Sequence, residues 1–266
     1  MNKKIAILGG GNIGSAIAKG FLADGATDPS LLTVTRRRVE KLQALQEKGV
    51  VTTSDNRSAV LEASIVILAV RPGQVRDLLQ EIASSLDAGR HTLVSVVTNF
   101  SIAETEAYAG KEMPVIRAMP NTAVEVLESM TGLAANTPGE EKLAEVQTLF
   151  EMVGRTYIIE EKLMAAATIL NACGIAYFLR VIRAISQGGT QIGFHAPEAQ
   201  TIAAQVAKGA AELLLESGIH PEEEIDKVTT PRGVTIAGLN EMEHHGLSSA
   251  LIKGILASFN EIEKLK

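Results

Sequence analysis

Residues Gly9 to Gly14 read G-G-G-N-I-G, and the glycines at positions 9, 11 and 14 constrain the chain more than any other feature of its 266 residues. The apolar run Lys4 to Leu8 comes just before them, and Ile13, Ala16, Ile17, Gly20 and Phe21 follow at helical spacing. This predicts a strand, a glycine turn and a helix in immediate succession. In that setting Gly9 makes the tight turn, Gly11 lets the backbone approach a pyrophosphate, and Gly14 lets the helix lie close to the strand. The start of the helix at Asn12 and Ile13 then faces negative charge. Gly9, Gly11, Asn12, Ile13 and Gly14 are therefore assigned to a dinucleotide.

Which dinucleotide is set at the end of the second strand. An acidic residue there would bind the ribose hydroxyls of NAD, but LLTVTRRR supplies Thr35, Arg36, Arg37 and Arg38. A guanidinium pairs with a 2'-phosphate, which a carboxylate would repel. NADPH is the expected cofactor, with NADH as a weaker alternative. Successive side chains on a helix start point about 100° apart, so Arg36 and Arg37 are preferred to Arg38. In SIVILAVRPGQV the residues Ala69, Val70 and Arg71 follow a strand and should border the ligand. Asn56 reads either as a helix N-cap or as a contact to the adenosine part.

The first 160 residues alternate strand and helix patterns. Strands are predicted at Lys4 to Leu8, Leu31 to Thr35, Ser64 to Val70, Thr92 to Val97, Val115 to Ala118, Gly132 to Ala135 and Thr156 to Ile159. Helices are predicted at Ile13 to Ala23, Val39 to Lys48, Gly73 to Ser85, Ile102 to Ala109 and Gly139 to Val153. That alternation implies a parallel sheet with helices on both faces. Beyond Glu161 strand signals stop, and helices are expected at Lys162 to Gln187, Ala196 to Ser217, Pro221 to Val228 and Leu247 to Lys266. The fold class is α/β: a Rossmann-type dinucleotide-binding domain over residues 1–160 and an all-helical domain over 161–266.

Six Phe, three Tyr and no Trp, with a net charge of -6, argue against a nucleic-acid partner. Leu163 to Leu179 is a run of 17 uncharged residues, short of the roughly 20 that span a bilayer, and Arg180 and Arg183 follow it. It reads as a helix buried in a core or a subunit interface, with no membrane partner. The single Cys173 forms no intrachain disulfide and reads as a small buried hydrophobe, and the N-terminus shows no signal h-region. A cytoplasmic protein is expected. A helical domain of about 105 residues buries only about two-thirds of its chain surface, so a partner copy is expected to cover the apolar run.

Four segments, ILGGGNIGSAIAKG, ILAVRP, IRAMPNTA and DKVTTPRGVTIAGLNEM, occur in this order along the chain. On them the sequence resembles the pyrroline-5-carboxylate reductase family across essentially its whole length. The resemblance implies hydride transfer from NAD(P)H to the C=N bond of pyrroline-5-carboxylate, giving L-proline. It further implies a homodimer through the helical domain, with larger rings open and active sites between the cofactor domain and the shared helices. By motif, the small imino-acid substrate falls to Thr230, Gly233, Val234 and Thr235, with Thr235 as the catalytic position. Asn56, Ala69, Val70, Arg71 and Asn121 fall to the cofactor.

No H-E-x-x-H, clustered Cys and His, or G-x-S-x-G occurs, and no metal is expected; His91, His195, His220, His244 and His245 are scattered, the last two in a polar turn. A protonated imine is already electrophilic, so its reduction needs proximity and a dry pocket rather than a nucleophile. Departures from the family pattern are Arg232 for a glycine, Val234 for a small residue, Asn171, Cys173 and Ile175 in NACGIAY, and Thr98 with Asn99 in VVTNFSI. They keep two alternatives open: a reductase of another cyclic imine or small carboxylated substrate, and a catalytically silent NADP-binding sensor.

Overall fold

The computed structural model describes residues 3–264 except 24 and 26. They form two compact units, one built from the chain up to Ile175 together with the segment from Phe259 on, the other Ala176–Ser258.

The first unit is built on an eight-stranded sheet. In chain order it runs β1 (Ile5–Leu8), α1 (Asn12–Ala23), β2 (Leu32–Thr35), α2 (Gln43–Gln46), β3 (Val51–Thr53), α3 (Asn56–Glu62), β4 (Ile65–Leu68) and α4 (Pro72–Ile82). It continues through β5 (Thr92–Ser95), α5 (Ile102–Ala109), β6 (Val115–Met119), β7 (Ser129–Ala135), α6 (Thr137–Glu151), β8 (Gly154–Ile158) and α7 (Met164–Ala167). The strand order β3-β2-β1-β4-β5-β6-β7-β8 begins with the doubly wound 3-2-1-4-5-6 arrangement, whose order reverses between β1 and β4. β1 registers Ile5 against Leu32 on one side and against Ile65 on the other.

Both faces of β1 are covered, which explains its unbroken apolar run. Ile5 and Ile7 enter one buried cluster with Phe21 and Phe150, while Ala6 and Leu8 enter another with Val66, Leu68 and Leu93. Phe21 and Phe150 meet edge to face at 6.1 Å. Each large side chain so buried contributes about 1.5–3 kcal/mol, enough to fix the strand that carries the glycine turn.

The sheet is mixed rather than all-parallel, because β7 runs antiparallel to β6. Only residues 120–128 connect them, one short 3-10 turn (Thr122–Val126) among them. A parallel return needs a crossover of a dozen or more residues. Other expectations also change. Val39 to Lys48 is a 3-10 turn followed by the single turn α2, and the polar segment after it holds β3 and α3, which periodicity did not reveal. The helix expected from Lys162 is broken into a 3-10 turn, α7 and a π-helical turn (Thr168–Cys173) before α8 (Gly174–Gln191) begins.

The second unit holds most of α8, then α9 (Ala196–Ser217), α10 (Pro221–Val228), α11 (Val234–His244) and the larger part of α12 (Leu247–Lys264). α11 lies outside the helices that the sequence pattern predicts, and His244 closes it while His245 and Gly246 make the turn. Leu265 and Lys266, the end of the helix expected to reach Lys266, lie outside the described residues. Gly189 lets α9 come close to α8, since a Cβ there would stand 3.1 Å from that of Ala199. Tyr177 donates a hydrogen bond to Ser258 Oγ at 2.7 Å. The stretch Glu161–Gln191 is long and apolar enough to cross a membrane by length and composition. Instead of being buried on most sides within the chain, it exposes Leu170, Phe178, Leu179 and Ile185.

Candidate active site

The glycine turn leaves β1 at the carboxyl edge of the sheet and is tied to the end of β2. Gly9 and Gly10 donate their N–H groups to the Thr35 carbonyl at 3.2 and 2.6 Å. Gly9 has φ +111°, and a Cβ there would lie 2.6 Å from the Ala69 carbonyl oxygen. At Gly14 a Cβ would collide with the Gly9 carbonyl oxygen, so this glycine seats α1 against the turn. Above Gly11 there is nothing within 4 Å of a Cβ position. Open space there, next to the first N–H groups of α1 at Asn12, Ile13 and Gly14, fits a pyrophosphate.

A cavity of about 440 Å³ opens at this edge, lined by Gly9–Gly11, Thr35–Arg38, Asn56, Ala69–Arg71 and Glu81 among others. All three arginines line it. Arg36 to Arg38 precede the 3-10 turn rather than start a helix, so helical spacing does not set Arg38 aside. The Arg36 guanidinium donates to the Gly10 carbonyl at 2.6 Å, while Arg37 and Arg38 are exposed. Asn56 is not the helix cap: Asp55 is, its carboxylate accepting from Ser58 N–H. Asn56 instead accepts from Thr35 Oγ1 at 2.6 Å and donates to both Glu81 carboxylate oxygens at 3.2 and 3.1 Å.

A second hollow of about 400 Å³ shares Gly11 and Arg36 with the first, adds Asn12, and is closed by Thr122 and Glu125. Asn121 is buried at the carboxyl end of β6. Its Oδ1 accepts from Ala123 N–H at 2.9 Å, and its Nδ2 donates to the Asn171 carbonyl at 3.1 Å. A third hollow of about 270 Å³ lies beside Asn99, which has φ +56°, and includes Arg117 and Glu161. Arg117 is buried, and burial pulls its guanidinium down from its ordinary value although Glu161, 3.2 Å away, works the other way. Its Nε has no hydrogen-bond partner. Glu104 sits low despite partial burial, because the backbone and hydroxyl of Ser101 and the charge of Arg76 stabilise the carboxylate.

In the second unit, Thr230-Pro231-Arg232-Gly233 forms a turn closed by Gly233 N–H donating to the Thr230 carbonyl at 2.8 Å. Arg232 takes φ +61° at its third position, with Pro231 before it, as in a type II turn. Glycine is the ordinary residue there. A Cβ on Gly233 would come within 2.6 Å of Thr230 Oγ1. Gly233 caps α11, so the N–H groups of Val234 and Thr235 fall in its first, open turn. Cys173 is half-buried rather than core. Asn171, marked in the sequence only as a departure, is buried and bonded to three residues.

Residues 161–265 match the family profile described as pyrroline-5-carboxylate reductase dimerisation, and residues 4–99 match NADP oxidoreductase coenzyme F420-dependent. Pyrroline-5-carboxylate reductase 2 of Dictyostelium discoideum is 44% identical, the alignment covering 99% of this chain and 93% of that relative. Pyrroline-5-carboxylate reductase 1 of the same organism is 45% identical over 98% of this chain, which spans about half, 49%, of that relative's length. A pyrroline-5-carboxylate reductase structure from Coxiella burnetii superposes with a TM-score of 0.90 at 30% identity, covering 100% of this chain and 99% of the other. Strand order and glycine turn define the class, a Rossmann-type dinucleotide-dependent oxidoreductase with a helical second part. Within that class the chain belongs to the pyrroline-5-carboxylate reductase family.

Proposed function

We propose that the chain reduces the C=N bond of 1-pyrroline-5-carboxylate to L-proline, the last step of proline biosynthesis, using NADPH in preference to NADH. The observation that carries this reading is similarity at 44% identity along nearly the whole of a relative named for that activity, the glycine turn and the Thr230–Thr235 loop both included. When bound, NADPH supplies the hydride. The N–H groups of Asn12, Ile13 and Gly14 and the open backbone at Gly11 receive the pyrophosphate, after the tight turn at Gly9. Arg36 and Arg37 answer the 2'-phosphate. Asn56, Ala69, Val70 and Arg71 wall the cleft, and Asn121 holds the end of β6.

The substrate carboxylate falls to the first-turn N–H groups of Val234 and Thr235 and to the hydroxyls of Thr230 and Thr235. Gly233 contributes conformation, because its own N–H is spent on Thr230. In this reading residues 1–160 carry the cofactor, and residues 161–266 carry the substrate loop and the contact of a cytoplasmic homodimer that can build into a ring. The positive φ of Arg232 favours one second reading, a reductase of another carboxylated cyclic imine. Purified protein is assayed for NADPH oxidation with pyrroline-5-carboxylate, with its six-membered homologue and with no substrate. Fast turnover on the first supports the proposal. Intact NADPH binding without that turnover overturns it, and preference for the homologue selects the second reading.

A further inference from the structure

The π-helical turn Thr168–Cys173 holds a buried polar residue, Asn171, to which the proposed reaction gives no role. Asn171 and Asn121 are each only 7% exposed. Asn171 Nδ2 donates to the Met119 carbonyl at 3.2 Å, its Oδ1 accepts from the Tyr157 hydroxyl at 3.0 Å, and its backbone carbonyl accepts from Asn121 Nδ2 at 3.1 Å. A π turn shifts the helical hydrogen-bond register and marks functional positions more often than chance. Here it brings an asparagine carbonyl and side chain to bear on the last residue of β6 and on the turn that follows.

That turn reaches the glycine motif. Asn121 caps the 3-10 turn Thr122–Val126 through Ala123 N–H. The turn in turn packs on α1: a Cβ on Gly20 would collide with the Val124 carbonyl oxygen, and Lys19 pairs with Glu125 at 2.6 Å. Thr122 and Glu125 also close the hollow that contains Gly11, Asn12 and Arg36. The chain of contacts thus runs from Asn171 through Asn121 and the 3-10 turn to the helix whose N-terminus faces the dinucleotide.

We propose that Asn171 is a positioning residue: its buried amide clamps the Met119–Asn121 end of β6, and through the Thr122–Val126 turn it fixes the seat of α1 for the cofactor. The proposal rests on reading the cleft as a dinucleotide site, and its test separates the two. Asn171→Ala, Asn171→Asp and Tyr157→Phe are compared with the unaltered protein. Three quantities are read: amide hydrogen exchange at Ala123 and Val124 without ligand, NADPH affinity by titration, and kcat and KM for the imine.

Asn171→Ala should speed exchange at Ala123 and Val124 about tenfold or more, the consequence of losing buried hydrogen bonds. It should lower kcat about tenfold to a hundredfold with KM for the imine changed less than about threefold, as misplacement of a reacting group does. In Asn171→Asp the donor facing Met119 exists only while the carboxyl is protonated. Its exchange defect should therefore grow with pH relative to the unaltered protein, a profile that space-filling alone would not give. Tyr157→Phe keeps the ring and removes one bond, and should speed the same amides about threefold. It decides the matter if Asn171→Ala does not fold. Unchanged exchange at Ala123 and Val124 in the variants that fold, or faster exchange with NADPH affinity and kcat both unaltered, overturns the proposal. If the unaltered protein binds NADPH but reduces no imine, the proposed function fails while exchange and affinity still judge the clamp.

Discussion

The Arg36 guanidinium donates to the Gly10 carbonyl at 2.6 Å while also lining the cleft, whereas Arg37 lines the cleft from an exposed position without that tie. Their removal should therefore differ. Arg37→Ala is expected to weaken NADPH about tenfold to a hundredfold, the worth of a charged hydrogen bond, and to leave NADH nearly unchanged. Arg36→Ala should weaken both cofactors, because it also frees the glycine turn. Direct titration of each variant with each cofactor checks this, and equal NADPH and NADH losses in Arg37→Ala would remove it from the 2'-phosphate. The charge run was plain in the sequence, but the bond to Gly10 was not, since it depends on how β2 ends against the glycine turn. Asn56 was ambiguous for a related reason: Asp55 beside it has the same capping chemistry, and only the fold shows which one turns to the helix. Arg232 is a further case at this scale. A non-glycine residue in the left-handed region costs about 1–2 kcal/mol, so Arg232→Gly should raise unfolding free energy by about 1 kcal/mol. Chemical denaturation of both proteins reads this, and a loss of stability would mean that the arginine side chain makes contacts worth more than its backbone strain.

At the scale of elements, the parts legible in the sequence were those with long apolar periods. β1, α1, β4 and α4 emerge close to where the pattern puts them, because each buries a continuous face. β3 and α3 are short and partly polar, and α11 follows a turn whose geometry rests on a positive φ at an arginine. None of the three leaves a periodic trace. The reversal of β7 was hidden because apolar spacing fixes which face a strand buries and not the direction in which it runs. The loop before β5 carries a titration that can be tested. His91 is buried, its Nδ1 accepts from Asp87 N–H at 2.8 Å, and its Nε2 faces the Val60 carbonyl at 3.2 Å, so the neutral ring uses both nitrogens. Burial, with Arg90 beside it, holds the ring below its usual 6.5. As pH drops below about 6.5 the unfolded chain takes the proton first, so this part of the stability is present above that pH and is lost toward the lower folded value. Denaturation at about pH 7.5 and about pH 5.5 should show a smaller loss in His91→Gln than in the unaltered protein. An equal loss in both would place the acid sensitivity elsewhere.

For the whole molecule, the decisive quantity is apolar surface that one chain leaves uncovered. Phe178 is 72% exposed and Ile192 79%, and Leu179, Ile185, Ile202 and Val206 are exposed with them. Large uncovered apolar patches mark interaction surfaces in soluble proteins. The homodimer proposed above gives this surface, within residues 161–265, a second copy as its occupant. The same helical stretch passes a length and composition test for a membrane span, so the two occupants must be told apart. Arg180 and Arg183 lie within it, and an unpaired arginine inside a bilayer is costly, by about 2.5 kcal/mol or more each. Analytical ultracentrifugation without detergent should therefore give a dimer or a multiple of it, with a Tm that rises with protein concentration. Phe178→Glu together with Ile192→Glu should shift the protein toward monomer and lower its Tm, since buried carboxylates at a contact oppose association. Neutral phospholipid vesicles should not carry the unaltered protein down on pelleting. A monomer that stays soluble at micromolar concentration, or one that pellets with the vesicles, would show that these helices are covered by something other than a second copy.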